Sequence, residues 1–210
     1  MPEDVRRQKA AEQLKAQEHQ RILGIFPSFA VTNIPDAVPL SPTQKFQLSL
    51  HSALDPMQFG IAAVDAGISQ AFNDFKGYGQ GAQGYFKRWG AAYADNFDGA
   101  ILGGAVFPTL LHQDPRYFRK GTGSFASRLF YAVSTTFRAK NDNGKWQPNY
   151  SNILGNIAAG GIANLYYPST DKGVSLIFER AFTVTGEGAA GGVLLEFWPD
   201  VARHLHRKQP

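Results

Sequence analysis

Thirteen glycines interrupt segments that otherwise have helical composition, from Gly60 to Gly192. No other feature constrains the chain as much. A glycine inside a helix costs up to about 1 kcal/mol relative to alanine, so something must offset a repeated cost. Close approach of two helix backbones does this, and small residues four apart put that contact on one helix face. Gly99 and Gly103 have this spacing, as do Gly188 and Gly192, and Gly155 lies in a third Gly/Ala-rich run. These five are the expected packing glycines. Two environments favour such helices: a lipid phase, where apolar burial between helices gains little, and a tightly packed soluble α-protein.

The pattern predicts an all-α fold, a compact bundle of about seven to nine helices with close Gly/Ala packing. Residues 3–22 are rich in Ala, Glu, Gln, Lys and Arg and form a charged N-terminal helix stopped at Ile22-Leu23-Gly24. With few apolar positions it is solvated or packs on a partner. Residues 25–42 hold four prolines and read as an extended linker. The organisation is therefore a helix over 1–24, a Pro-rich linker over 25–42 and a helical domain over 43–210. Ser41-Pro42 opens the first helix of that domain, as N-cap and first-turn proline. Further helices are expected over 56–75, 80–96, 97–112 (with a kink at Pro108), 124–138 with Ser124 as cap, 151–167, 171–185 and 188–206. KNDNGKW reads as a turn, and sustained apolar/polar alternation is missing, so strand signals are weak.

Composition narrows the classes. Charged residues make up 18% and aromatics 13% of 210 residues, which argues against wholesale disorder. With no cysteine there is no disulfide, thiolate metal site or cysteine nucleophile. Mean hydropathy is −0.26, and no run of about 20 apolar residues is long enough for a standard membrane span. The formal charge is +4, but residues 115–145 carry seven cations against Asp142 alone. A basic middle suits an anionic surface such as phospholipid headgroups; a solvated basic face is the plainer reading. Aromatics beside cations, as at Tyr85-Phe86-Lys87-Arg88-Trp89 and Arg116-Tyr117-Phe118-Arg119-Lys120, fit a membrane–water boundary. Aromatic core packing with snorkelled cations gives the same pattern.

The densest polar cluster is His112-Gln113-Asp114-Pro115-Arg116. His112 as base, Asp114 as its orienting carboxylate and Arg116 as anion clamp would make a catalytic set. The structural alternative makes Asp114-Pro115 a helix start, puts His112 in the last turn of the preceding helix and pairs Arg116 and Arg119 with Asp95 or Asp98. A buried Asp65 would need a partner such as Arg88 or Arg128. His51 and Asp55 are only a pair, and neither they nor His204 and His206 complete a metal-ligand pattern. The Gly77–Gly84 stretch lacks the lysine and preceding strand of a phosphate loop. No metal, no cofactor and no nucleic-acid partner is expected.

The segments HQDPRYFR and NYSN…NLYYP resemble a group of uncharacterised, exported bacterial proteins with no established activity, over roughly residues 22–203. The resemblance implies a cell-envelope location, periplasm or outer membrane, with a leader upstream. The charged start at Met1 leaves a cytoplasmic location as the alternative. The first expectation is a non-enzymatic, membrane-associated helical protein, homo-oligomeric through its glycine faces. Arg116, Arg119, Lys120, Lys87 and Arg88 would form a basic–aromatic rim on anionic lipid. The alternatives are a soluble enzyme using His112, Asp114 and Arg116, and a soluble interaction module docking through helix 3–22.

Overall fold

The computed structural model describes residues 3–18, 21–22, 26–27, 30–34 and 37–206. The expected stop at Leu23-Gly24, parts of the linker, and Arg207 and Lys208 of the basic tail lie outside them. The fold is all-α. Its helices are α1 (Glu3–Glu18), α2 (Pro42–Ala53), α3 (Pro56–Ala71), α4 (Gly81–Ile101), α5 (Phe107–Leu110), α6 (Phe125–Ser134), α7 (Tyr150–Ala163) and α8 (Val174–His206). Strands are fragments of two or three residues: β1 (Arg21–Ile22) with β2 (Phe26–Pro27), β3 (Val31–Thr32) parallel to β4 (Tyr117–Phe118), and β5 (Arg138–Lys140) with β6 (Trp146–Pro148).

Helix starts follow local chemistry. Ser41 accepts from Gln44 N while the Gln44 side chain accepts from Ser41 N, a capping box with Pro42 behind it. Asp55 caps Met57 N at the start of α3, and Ser124 caps Ser127 N at the start of α6. Helix stops follow packing instead. The expected break near 96 is absent, because α4 runs through a π-helical turn, Leu102–Val106, into α5. The expected Pro108 kink is that turn. Pro108 has no N–H for the Gly104 carbonyl, and the ladder slips by one residue, so that the Phe107 N–H reaches Leu102 O. The expected separate helices over 171–185 and 188–206 are one helix of 33 residues, with Pro199 inside it.

Glycines set where the helices cross. A Cβ on Gly155 would sit 2.7 Å from Gly103 Cα, so α7 crosses the π turn backbone to backbone. A Cβ on Gly160 would meet Ile177 O at 2.6 Å, which lets α7 lie against the first turns of α8. Near its other end Gly192 faces the Ala132 carbonyl of α6 at 3.3 Å. Gly99 has only an ordinary contact with Val184, and a Cβ on Gly188 would meet nothing within 4 Å. The expected packing role therefore fails at Gly188, whose side faces open space.

Helix α1 lies on the body: Leu14 is buried with Leu40 and Leu48, and Gln13 accepts from Val38 N at 3.2 Å. The interior as a whole is built from small and polar side chains. Among the described residues, ten of the seventeen buried apolar ones are alanines, and the largest fully buried side chains include Lys45, Gln113, Glu196 and Thr32. Hydrogen-bonded polar side chains thus share the centre with alanines and a few leucines, Leu48 and Leu176 among them.

Candidate functional site

Three ion-paired joints hold the elements together. Lys45 on α2 donates to both Asp142 oxygens (2.8 and 2.9 Å) and to Pro108 O, tying α2 to the β5–β6 turn and to α5. Glu196 on α8 is wholly buried and accepts from Arg128 Nε, Tyr117 OH, Gly121 N and Lys120 N, at 2.8 to 3.0 Å. Burial alone would raise its carboxyl, but Arg128 and the three further donors outweigh burial and hold it below the usual carboxylate range. Asp95 on α4 accepts from the Tyr166 and Tyr167 hydroxyls at 2.6 Å each and pairs with Arg180 at 2.8 Å. Burial first, and Asp95 second, push both tyrosines far up.

Beside the Glu196 joint lies a cavity of about 360 Å³. Its walls come from segment 113–118, the β5–β6 hairpin, the start of α7 and the Gly188–Leu195 stretch of α8. The two segments that carried the resemblance, HQDPRYFR and NYSN, thus meet around one space. Gln113 joins them: its side chain donates to Pro148 O and accepts from Ser151 N, both at 2.8 Å. Arg138 stacks its guanidinium on Trp146 (4.8 Å) and Tyr131 (5.2 Å) and forms no ion pair among the described residues. Three buried polar atoms of lining residues lack a hydrogen-bond partner: Arg116 Nη1, Arg138 Nε and Ser151 Oγ.

The proposed catalytic set does not assemble. His112 takes a left-handed backbone (φ 52°) at the end of α5, its side chain is 84% exposed, and the nearest carboxylate is Asp142 at 3.8 Å. Asp114 is turned inward, where it accepts from Arg116 N, Nε and Nη2 (3.0, 2.9 and 2.6 Å). A short strand, not a helix, follows Pro115.

The basic rim also needs correction. Arg116 is buried with Asp114 and donates to Val38 O. Arg88 is buried and donates to the carbonyls of Asp74, Phe75, Gly79 and Gly84, so its guanidinium holds the α3–α4 loop. Arg119 is mostly buried, bonded to Glu196 O and Asp200. Only Lys87 and Lys120 are exposed, and Lys120 bonds to Ser127. Nor do the expected pairs form: Asp95 takes Arg180, and Arg128 takes Glu196 and Asp200. Glu196 and Arg128 were legible only as an acid and a base inside apolar helical runs, where a buried charge needs a partner.

The outer surface is the converse of the interior. Nine of the fourteen phenylalanines whose burial is described are exposed, including Phe72, Phe130 and Phe182 at 74–77%. Five of them belong to stripes at helical spacing: Gly60, Val64, Ile68 and Phe72 along α3 and its end; Phe130, Val133 and Phe137 on α6 and just beyond; Val174, Phe178 and Phe182 on α8; a further stripe on α7 holds Tyr150, Ile153, Leu154 and Ile157. Phenylalanine is among the residues most often fully buried in water-soluble folds, and contiguous exposed apolar patches mark contact with another phase or molecule. No helix among the described residues is long and apolar enough to cross a membrane. Among the described residues, too, no group of three or more His, Asp or Glu is placed to hold a metal ion. No protein-family model, curated protein or solved structure matches this chain.

Proposed function

We propose that this chain is a non-enzymatic, membrane-associated helical protein whose outward apolar stripes rest in the hydrocarbon edge of a lipid layer. The observation that carries the reading is the inversion of polarity, with Lys45, Gln113, Asp114, Arg116 and Glu196 inside and most of the phenylalanines outside. In water the hydrophobic effect drives the opposite arrangement. In lipid it does not act between helices, and small-residue contacts and internal hydrogen bonds take over. The Gly155–Gly103 crossing and the ion-paired joints are features of that kind. The stripes are spread over α3, α6, α7 and α8, of which α8 packs against both α6 and α7 while α3 packs against α4, and an extended medium covers stripes on four helices better than one protein partner. Lys87 follows the exposed Phe86, and Lys120 precedes the exposed Phe125; these two lysines would meet headgroup phosphates. The envelope location rests on the sequence resemblance alone.

Flotation with phosphatidylcholine vesicles tests this. Wild type should float, and combined Phe130→Ser, Leu165→Ser and Phe182→Ser should sink with unchanged helical circular dichroism. Each lost aromatic or aliphatic group should weaken partitioning about tenfold or more. Wild-type protein that stays in the aqueous fraction as a soluble oligomer would overturn the proposal.

A further inference from the structure

We infer that the cavity between the β5–β6 hairpin and α8 binds an oxyanion carried on an apolar chain, an alkyl phosphate or carboxylate. The charge of its wall sets the sign. Arg138 and Arg116 line it against one carboxylate, Asp114, which Arg116 already neutralises. Arg138 has no ion pair among the described residues and lies over the Trp146 and Tyr131 rings, which stand edge to face beside each other, so its charge is held in place without a carboxylate there. The polar atoms left without partners point the same way. Arg116 Nη1 and Arg138 Nε can only donate, and Ser151 Oγ can donate as well. A buried donor without an acceptor is costly, and a ligand rich in acceptor oxygens removes that cost. Arginines in this setting suit phosphate or carboxylate oxygens better than a neutral acceptor.

The other side of the cavity accounts for the apolar part. Gly188 and Gly191 on α8 line it, and a Cβ on either would meet nothing within 4 Å. Phe118, Trp146 and Leu195 are further lining groups. Two helix glycines with no packing role leave a bare strip of α8 where an alkyl chain can lie. The volume, about 360 Å³, falls at the lower end of small-molecule sites. It suits a short chain or the head end of a longer one.

Calorimetric titration of the full chain with hexyl phosphate, inorganic phosphate and hexanol tests the inference without vesicles, so it stands or falls apart from the membrane reading. Hexyl phosphate should bind saturably, one molecule per chain. Inorganic phosphate should bind at least about tenfold more weakly, because each buried methylene adds to affinity, and hexanol should give no saturable signal. Arg138→Gln should weaken hexyl phosphate by about tenfold or more. Gly191→Leu, whose Cβ has open space and whose side chain would occupy the strip, should abolish binding while leaving thermal unfolding unchanged or raised. Equal affinity for inorganic and hexyl phosphate would overturn the apolar half of the inference and leave a free-anion site. No saturable binding, or binding unaffected by both substitutions, would overturn it entirely.

Discussion

Glu196 and Asp95 are both buried carboxylates at helix junctions, and the protein satisfies them in opposite ways. Glu196 receives a guanidinium, a phenol and two backbone N–H groups. Its neighbour Asp200 is held low in the same manner: burial opposes, while Arg128 and Arg203 prevail. Asp95 receives two phenols and one guanidinium, and three further acids stand near it. Burial raises Asp65, Asp98 and Glu187, and the charge of Asp95 adds to each. One joint is thus cation-rich and pinned by main chain, and the other is acid-rich and softened by neutral hydroxyls. Burying a carboxylate costs the same kind of free energy in both places; the surroundings decide whether the charge holds the fold together or strains it.

Removing each charge should separate the two joints. Glu196→Gln leaves Arg128 with Asp200 alone and puts an NH2 group where a carboxylate oxygen accepted from two donors, and should cost about 3–5 kcal/mol, read as a shift in the denaturant midpoint. Asp95→Asn keeps an acceptor for one tyrosine and relieves the nearby acids, and Arg180, though it loses its Asp95 pair, keeps the nearby charges of Glu187 and Glu179, so about 1–3 kcal/mol is expected. Equal losses would break the contrast.

The smallest effect is the pH dependence, and its two parts have opposite sign. Glu196 and Asp200 have folded pKa values below their unfolded ones. Their stabilisation is complete above the ordinary carboxylate range and is lost as pH falls through the folded values. Asp65, Asp98 and Glu187 have folded values above their unfolded ones. Each costs stability above its folded value, and that cost disappears as pH falls toward the unfolded 3.8 or 4.5. The melting temperature should hold or rise slightly on mild acidification, then fall steeply below the ordinary carboxylate range. Asp65→Asn with Glu187→Gln should flatten the first part and leave the second; an unaltered profile would show that these acids do not oppose the fold.

Much of the helical frame was legible because its signals are local. Ser41 with Gln44, Asp55 with Pro56, and Ser124 act within three residues, and the turn in KNDNGKW joins β5 to β6 as read. The fused rods over 81–110 and 174–206 were not legible: distant elements hold the backbone at Gly103 and Gly192, while Gly186 and Gly188, which suggest the break in the second rod, meet nothing within 4 Å and leave the helix unbroken. Gly155 lies 52 positions from its partner Gly103. The HQDPRYFR segment does border the cavity, but its roles were misread. A left-handed residue at His112 sends the imidazole outward, and the Asp114 carboxylate folds back onto Arg116. Arg138 had no signal beyond a basic stretch, since its importance comes from the aromatic faces around it.

By itself the amino-acid sequence determined the secondary structure class, the helix starts and the demand for close backbone contacts, because propensity, capping and the cost of glycine act over one or two turns. Only the tertiary structure decided which charges go inside and which aromatics stay out. Arg128 meets Glu196 across 68 residues, and Gly and Ala, lacking large side chains, leave the buried face of a helix unmarked until its neighbours are in place.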